Sequence, residues 1–211
     1  MFFENEFTLA TDLNGRWQSY QFFFAPVNWR FESGDRIEAN VIPQGERLDE
    51  PFRIADTVVI QPGSYDFTRY RLEVEFAARR PVSGQLTWRF GPFYDGSLHQ
   101  LIMSGAWKPS ATFILQVNGE HDIGRLPTGD FDTSLLGVRV LVNFSPDLNL
   151  SSFVQYDTES RSMGSNTRLR WTFAPPGDFF LVYNHNLQDV SDRWRLQSNQ
   201  LLAKVQYAFR Y

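Results

Sequence analysis

Apolar and polar positions alternate with a period of two along most of this chain, and the clearest case is its final stretch, Asn199 to Tyr211. Leu201, Ala203, Val205, Tyr207, Phe209 and Tyr211 fall on one face, and Gln200, Lys204, Gln206 and Arg210 on the other. Successive side chains of a strand point to opposite faces, so this spacing predicts a β-strand with one apolar and one charged side. A strand of that kind, closing the chain on an aromatic residue, fits the last strand of a transmembrane β-barrel, apolar face to lipid and polar face to lumen.

The same reading divides the whole sequence into about twelve strands of about nine or more residues, a length that suits a tilted membrane-spanning strand. The first covers Phe3 to Thr11 and turns at Asp12 to Gly15; the second, Arg16 to Phe31, sets Ala25, Val27, Trp29 and Phe31 against Asn28 and Arg30. After Glu32 to Asp35, Ile37, Ala39 and Val41 oppose Arg36, Glu38 and Asn40, and the stretch Gln44 to Ser64 reads as a long loop. Tyr65 to Ala78 is the sharpest internal case, with Tyr70, Leu72, Val74 and Phe76 opposite Arg69, Arg71, Glu73 and Glu75. Leu86, Trp88 and Phe90 then oppose Gln85, Thr87 and Arg89, and the pattern repeats through Leu101 to Trp107, Phe113 to Val117, Val138 to Phe144, Leu148 to Tyr156, Leu169 to Phe173 and Phe179 to Tyr183. Helical periodicity is not convincing anywhere. The expected fold is therefore all-β, an antiparallel transmembrane β-barrel or the C-terminal part of one, built as a meander over residues 1–211.

Composition sharpens this picture. Aromatic residues make up 16% of the chain, with 20 Phe, while the mean hydropathy is −0.35. A polar average that hides many large apolar side chains is what half-wetted spanning strands produce. No apolar run is long enough for a helical span. The net charge of −4 argues against a nucleic-acid partner, which needs a basic patch. With no cysteine, disulfides, thiolate metal sites and cysteine nucleophiles are all excluded.

If the last strand ends in the periplasm, the links 32–35, 79–84, 108–110, 145–147 and 174–178 are periplasmic, and the longer links 44–64, 122–131, 157–165 and 188–196 are external. Short inner turns and long outer loops are the habit of such barrels. Trp29, Phe31, Phe76, Trp88, Trp107, Phe113, Phe144, Trp171, Phe173, Phe179, Phe209 and Tyr211 are then expected near the periplasmic ends as one aromatic girdle. The N-terminal MFFENEFTLATD lacks a basic segment followed by an apolar one. The chain is accordingly expected to be the C-terminal portion of a longer exported protein, residing in the bacterial outer membrane with membrane lipid and the barrel assembly machinery as partners.

The candidate chemistry lies in the charges assigned to the lumen: Arg30, Arg36, Glu38, Arg69, Arg71, Glu73, Glu75, Arg89, Arg139, Arg168, Arg170, Lys204 and Arg210. An arginine-rich wall would favour anionic solutes; the competing reading is a mutually paired Arg/Glu network that braces the interior, because buried charges must be paired or hydrated. Tyr207, Phe209 and Tyr211 are the expected assembly signal. His121, Asp122, Asp130 and Asp132 could gather at an outer rim and activate water, but no hydrolase motif accompanies them. His99, His121 and His185 show no metal-ligand spacing, and no cofactor or metal is expected.

The segments Pro26 to Asp35, Arg79 to Gln85, Phe144 to Leu148, Tyr183 to Asn186 and Tyr207 to Tyr211 resemble the C-terminal region of the DUF5916 family, over nearly the whole chain. That resemblance implies a bacterial envelope protein in which an N-terminal domain like the family-9 carbohydrate-binding modules is joined to an outer-membrane β-barrel. It also implies further strands upstream, and it carries over no catalytic residue. Three functions follow as expectations: a solute-conducting barrel, a barrel that anchors a carbohydrate-binding periplasmic or surface domain without transport, and, third, a barrel hydrolase.

Overall fold

A computed structural model describes residues 5–55 and 58–209. Every regular element among them is a strand: β1 Asn5–Thr11, β2 Trp17–Arg30, β3 Arg36–Leu48, β4 Phe52–Ala55, β5 Val58–Ile60, β6 Gly63–Phe76, β7 Val82–Phe90, β8 Pro92–Phe93, β9 Gly96–Trp107, β10 Phe113–Leu126, β11 Gly129–Ser145, β12 Leu148–Asp157, β13 Ser162–Ala174, β14 Gly177–Asp189 and β15 Trp194–Tyr207. Twelve of them follow one another as neighbours in a single sheet, β1-β2-β3-β6-β7-β9-β10-β11-β12-β13-β14-β15, with β8 paired to β9 and with β4–β5 forming a separate hairpin. The chain is thus an antiparallel meander, and the twelve strands of that order are those expected from the alternation. The part of the first predicted strand before Asn5, and Arg210 and Tyr211 at the other end, lie outside the described residues.

Several expected boundaries move. The links at 122–131, 157–165 and 188–196 are mostly strand: β10 runs on to Leu126 before β11 starts at Gly129, β12 to Asp157 before β13 at Ser162, and β14 to Asp189 before β15 at Trp194. Each of these hairpins closes in four residues or fewer, because Asp, Gly and Ser at their tips supply tight-turn conformations; Arg161, Ser191 and Asp192 take positive φ there. Only 49–62 is a long link, and it holds the β4–β5 hairpin. The expected contrast of short and long links is therefore not found beyond 49–62: the other links between successive strands of the meander are two to five residues long on both sides.

The contacts fall into two compact units: Met1–Ala77 with Gly84–Met103 and Glu120–Thr133, and Ala78–Ser83 with Ser104–Gly119 and Ser134–Tyr211. In the first unit the usual layering is inverted. Glu38 and Asn40 are each 2% exposed and Glu73 3%, whereas Trp29 is 51%, Phe76 50% and Leu72 44% exposed. The register explains the segregation. Asn28 lies opposite Glu38, Glu38 opposite Glu73 and Glu73 opposite Thr87, so one face is polar across four strands; Trp29–Ile37–Val74–Leu86 form a row of the other.

Ala25 breaks the expected pattern. It is fully buried instead of sharing the apolar face with Val27 and Trp29, because the β2–β3 register shifts between Phe24 and Val27. One extra residue in β2 at this β-bulge reverses the parity, and Pro26, which has no N–H to give to a ladder, sits in it. Upstream of the bulge the polar-face positions are odd-numbered and downstream even-numbered.

A small apolar core does exist in this unit, at the end away from the 31–35 turn. Val58 and Ile60 of β5 pack with Leu126, surrounded by Leu48, Ile54, Tyr65, Phe93, Tyr94 and Phe131. Tyr94, in the turn between β8 and β9, donates a hydrogen bond to Glu46. Burial, and then that bond, push its phenol well above the ordinary range.

In the second unit, β12–β15 pair in even register apart from one extra residue in β13 between Thr172 and Ala174, beside the turn into β14, and one in β15 between Leu196 and Ser198. Rings pair beside its short turns: the exposed Trp107 with the partly buried Phe113 at 5.9 Å, and the exposed pairs Trp171 with Phe173 at 6.0 Å and Tyr207 with Phe209 at 4.9 Å between centroids. In the first unit Trp29 and Phe31 do the same at 6.4 Å, beside the 31–35 turn. Trp88 departs from the expected girdle. It stacks on Phe90 at 4.2 Å, toward the end of β7 remote from the turn that precedes it, because it pairs with Leu72 while Phe76 pairs with Gly84.

Candidate functional site: the charged face of the sheet

The polar face of the first unit is a closed network. Alternation on β3 and β6 puts Arg36, Glu38 and Asn40 beside Glu75, Glu73 and Arg71 across the ladder. Glu38 pairs with Arg36 and, at 3.2 Å, with Arg71; Glu73 pairs with Arg71 and, at 3.9 Å, with Arg36. Neutral side chains take up most of the remaining capacity, although Arg71 Nε is buried without a hydrogen-bond partner. Arg36 Nε donates to Asn28 Oδ1 at 3.1 Å, Asn40 Nδ2 to Glu38 Oε1 at 2.9 Å and Arg71 Nη1 to Asn40 Oδ1 at 2.8 Å. Gln85 Nε2 and Thr87 Oγ1 both donate to Glu73 Oε2, at 2.6 and 2.9 Å. Buried ions held this way offset their desolvation through pairing and hydrogen bonds together.

Arg69, 6% exposed, is neutralised differently: it donates to the carbonyl oxygens of Leu98 at 2.6 Å and Gly91 at 3.1 Å, and its guanidinium stands over the Phe93 ring at 5.6 Å. Of the other charges expected here, Glu75 is half-buried opposite Arg36 and Gln85, Arg89 is exposed opposite Arg71, and Arg30 is exposed beside the 31–35 turn. Asn28, Asn40, Gln85 and Thr87 complete the network, although only charged residues were singled out from the sequence. Their signal was available, since each shares the parity of the charges.

The matching face of the second unit is cationic and open. Arg139 stands over Phe153 at 4.8 Å and Arg168 over Phe180 at 4.6 Å; the register puts Lys204 opposite Phe180. Arg170 meets a carboxylate instead. Its Nε donates to Asp178 Oδ1 at 3.1 Å and its Nη2 to Oδ2 at 3.2 Å, a two-point fork of the kind guanidinium favours. Asp178 escaped notice because it reads as a turn residue, yet it is the second residue of β14 and returns beside Arg170. Of the expected assembly signal, Tyr207 and Phe209 are exposed; Tyr211, like the expected lumen residue Arg210, lies outside the described residues.

Above these cations, β12–β15 line an open concavity of about 700 Å³, with Phe153, Gln155, Asn166, Asn184, Ser198 and Gln200 among its walls. A Cβ at Gly164 would lie 3.0 Å from Asn186 Oδ1, and one at Gly137 3.0 Å from the Phe153 ring and 2.7 Å from Asn118 Oδ1. These two glycines make the room for the side chains that shape the cavity.

The His/Asp group does not converge. His121 Nδ1 is 3.6 Å from Asp132 Oδ1, both well exposed, and Asp130 pairs with Arg125 at 3.5 Å. Asp122, the neighbour of His121 on a strand, turns to the opposite face and accepts from Gln100 at 3.4 Å. His99 stacks near Trp88, and His185 lies 3.4 Å from the Tyr183 hydroxyl. Among the described residues no group of three or more His, Cys, Asp or Glu is placed to hold a metal ion, and no helix is long and apolar enough to cross a membrane. Neither a family model, nor a curated protein, nor a solved structure matches the chain.

Proposed function

We propose that this chain is the wall of a bacterial outer-membrane β-barrel, its apolar face turned to lipid and its charged face to a hydrated interior, and that it passes small solutes along the cationic face of the second unit. One observation carries the reading: on β2, β3, β6 and β7 most buried side chains are polar, Asn28, Glu38, Asn40, Arg69, Glu73, Ser83 and Thr87 beside the apolar Ala25, Ile42 and Phe67, while Trp29, Ile37, Leu72, Phe76 and Leu86 are exposed. In water that arrangement forfeits about 25 cal/mol for each Å² of apolar surface left wet. In lipid it is the favourable one. The resemblance to the DUF5916 barrel region agrees with it, as does the assignment of outer-membrane lipid and the barrel assembly machinery as partners.

A barrel that only anchors another domain is the second reading, favoured by the paired Arg36, Glu38, Arg71 and Glu73, which fill space instead of lining a path. The two differ in conductance. Purified chain in planar bilayers is expected to conduct with a preference for anions that Arg168→Glu with Arg170→Glu lowers or reverses. Silence from protein shown to be folded and inserted would leave the anchor reading.

A further inference from the structure

The 700 Å³ cavity of the second unit lies within the roughly 300–1,000 Å³ range of small-molecule sites, and its lining is chemically specific. Asn166, Asn184 and Gln200 are in register across β13, β14 and β15, with Gly164, Asn186 and Ser198 one pair further along. Neighbouring strands are about 4.8 Å apart, so this is a row of amides and hydroxyls at regular spacing. Their mutual bonds are few: Asn166 Nδ2 donates to Asn184 Oδ1 at 2.5 Å and Asn186 Nδ2 to Ser198 Oγ at 2.8 Å. Each amide offers two donors and an acceptor with two lone pairs, so most positions remain free for a ligand.

The lining is mostly neutral, with a single carboxylate. That carboxylate, Asp157, is turned into the adjoining turn, accepting from the Glu159 N–H at 2.9 Å and from Ser160 Oγ at 2.7 Å. Arg139 is held over the Phe153 ring and Arg168 over Phe180. Phe153 gives the cavity an apolar surface of ring size. Many neutral donors and acceptors with one aromatic face suit a ligand that has hydroxyls on its edges and C–H groups on its faces.

We propose that this cavity binds an uncharged polyhydroxylated solute, a short sugar chain. The proposal rests on the reading that this face lines a hydrated interior, but the two fail separately. Membrane residence is scored by carbonate-resistant fractionation. Sugar binding is measured by isothermal titration calorimetry on the full chain in a sugar-free amine-oxide detergent, with strand content checked by circular dichroism.

The probes are neutral hexasaccharides of glucose and of mannose, a polyethylene glycol of equal length, and sulfate. Saturable heat is expected from a hexasaccharide and none from the glycol or from sulfate. Asn184→Leu with Gln200→Leu is expected to weaken binding at least about tenfold, the worth of roughly one or two lost hydrogen bonds, while Asp147→Asn, in the exposed turn before β12, leaves it unchanged. Gly164→Val, whose side chain narrows the cavity and crowds the Asn186 amide, serves if the double variant does not fold, and is expected to weaken the binding by a similar factor. Absence of heat with both sugars, equal heat with the glycol, sulfate binding in their place, or undiminished binding by a folded variant would each overturn the proposal.

Discussion

Glu38 shows how much one side chain can carry when polar groups are the buried ones. It holds both Arg36 and Arg71 and accepts from Asn40, so Glu38→Ala removes one of the two carboxylates these guanidiniums share and leaves both facing Glu73 alone. Breaking a buried pair from one side costs about 3–5 kcal/mol, and the urea midpoint of the detergent-folded protein is expected to fall accordingly. A second substitution reads the environment of the opposite face. Leu72→Arg is expected to cost about 2–4 kcal/mol in lipid if Leu72 faces hydrocarbon near the membrane centre, whereas Ser151→Arg, on the polar face of β12, is expected to change stability by less than about 1 kcal/mol. Equal effects of the two in lipid vesicles would remove the basis for assigning the apolar face to lipid. Residues such as Glu38 and Leu72 were legible in the sequence because alternation alone assigns a face to each. The Arg170–Asp178 fork was not, since its carboxylate comes from beyond a turn and no periodicity connects it to its partner.

Strand existence follows from period-two patterning, but strand ends do not, because a tight hairpin tip of Asp, Gly and Ser looks in sequence like part of a longer loop. That is why 122–131, 157–165 and 188–196 read as links when most of their residues are strand. The bulge at Pro26 was equally hidden: the run Phe22 to Pro26 has no polar residue from which a change of parity could be read. The β4–β5 hairpin is the one element with an ordinary apolar core, and it makes its own prediction. Ile60→Ala removes a nearly fully buried side chain, at a cost of about 2–5 kcal/mol. The hairpin pairs only with itself but packs on Leu126 of β10 and on Leu48, Tyr65 and Phe93, so the loss is expected both as faster trypsin cleavage after Arg53 and as a lower urea midpoint.

At the scale of the whole chain, β1 and β15 stand at the two ends of the sheet order, and every residue of each is exposed. β15 gives one of its backbone edges to β14; the other edge carries N–H and C=O groups that hydrocarbon cannot satisfy. An inserted protein must therefore supply that edge with a strand, from its own first strand or from one outside this sequence. Hydrogen exchange can detect it: in lipid, all the β15 amides between Gln200 and Tyr207 are expected to be slow, whereas an edge left open would give fast exchange at every second position. The same feature has a consequence in water. A bare ladder beside Leu201, Val205 and Phe209 is a template on which another copy can grow, so if the chain is bound for a membrane as proposed, the hazard of its aqueous transit is aggregation, and a holding chaperone that covers the strand would determine how much of the protein arrives.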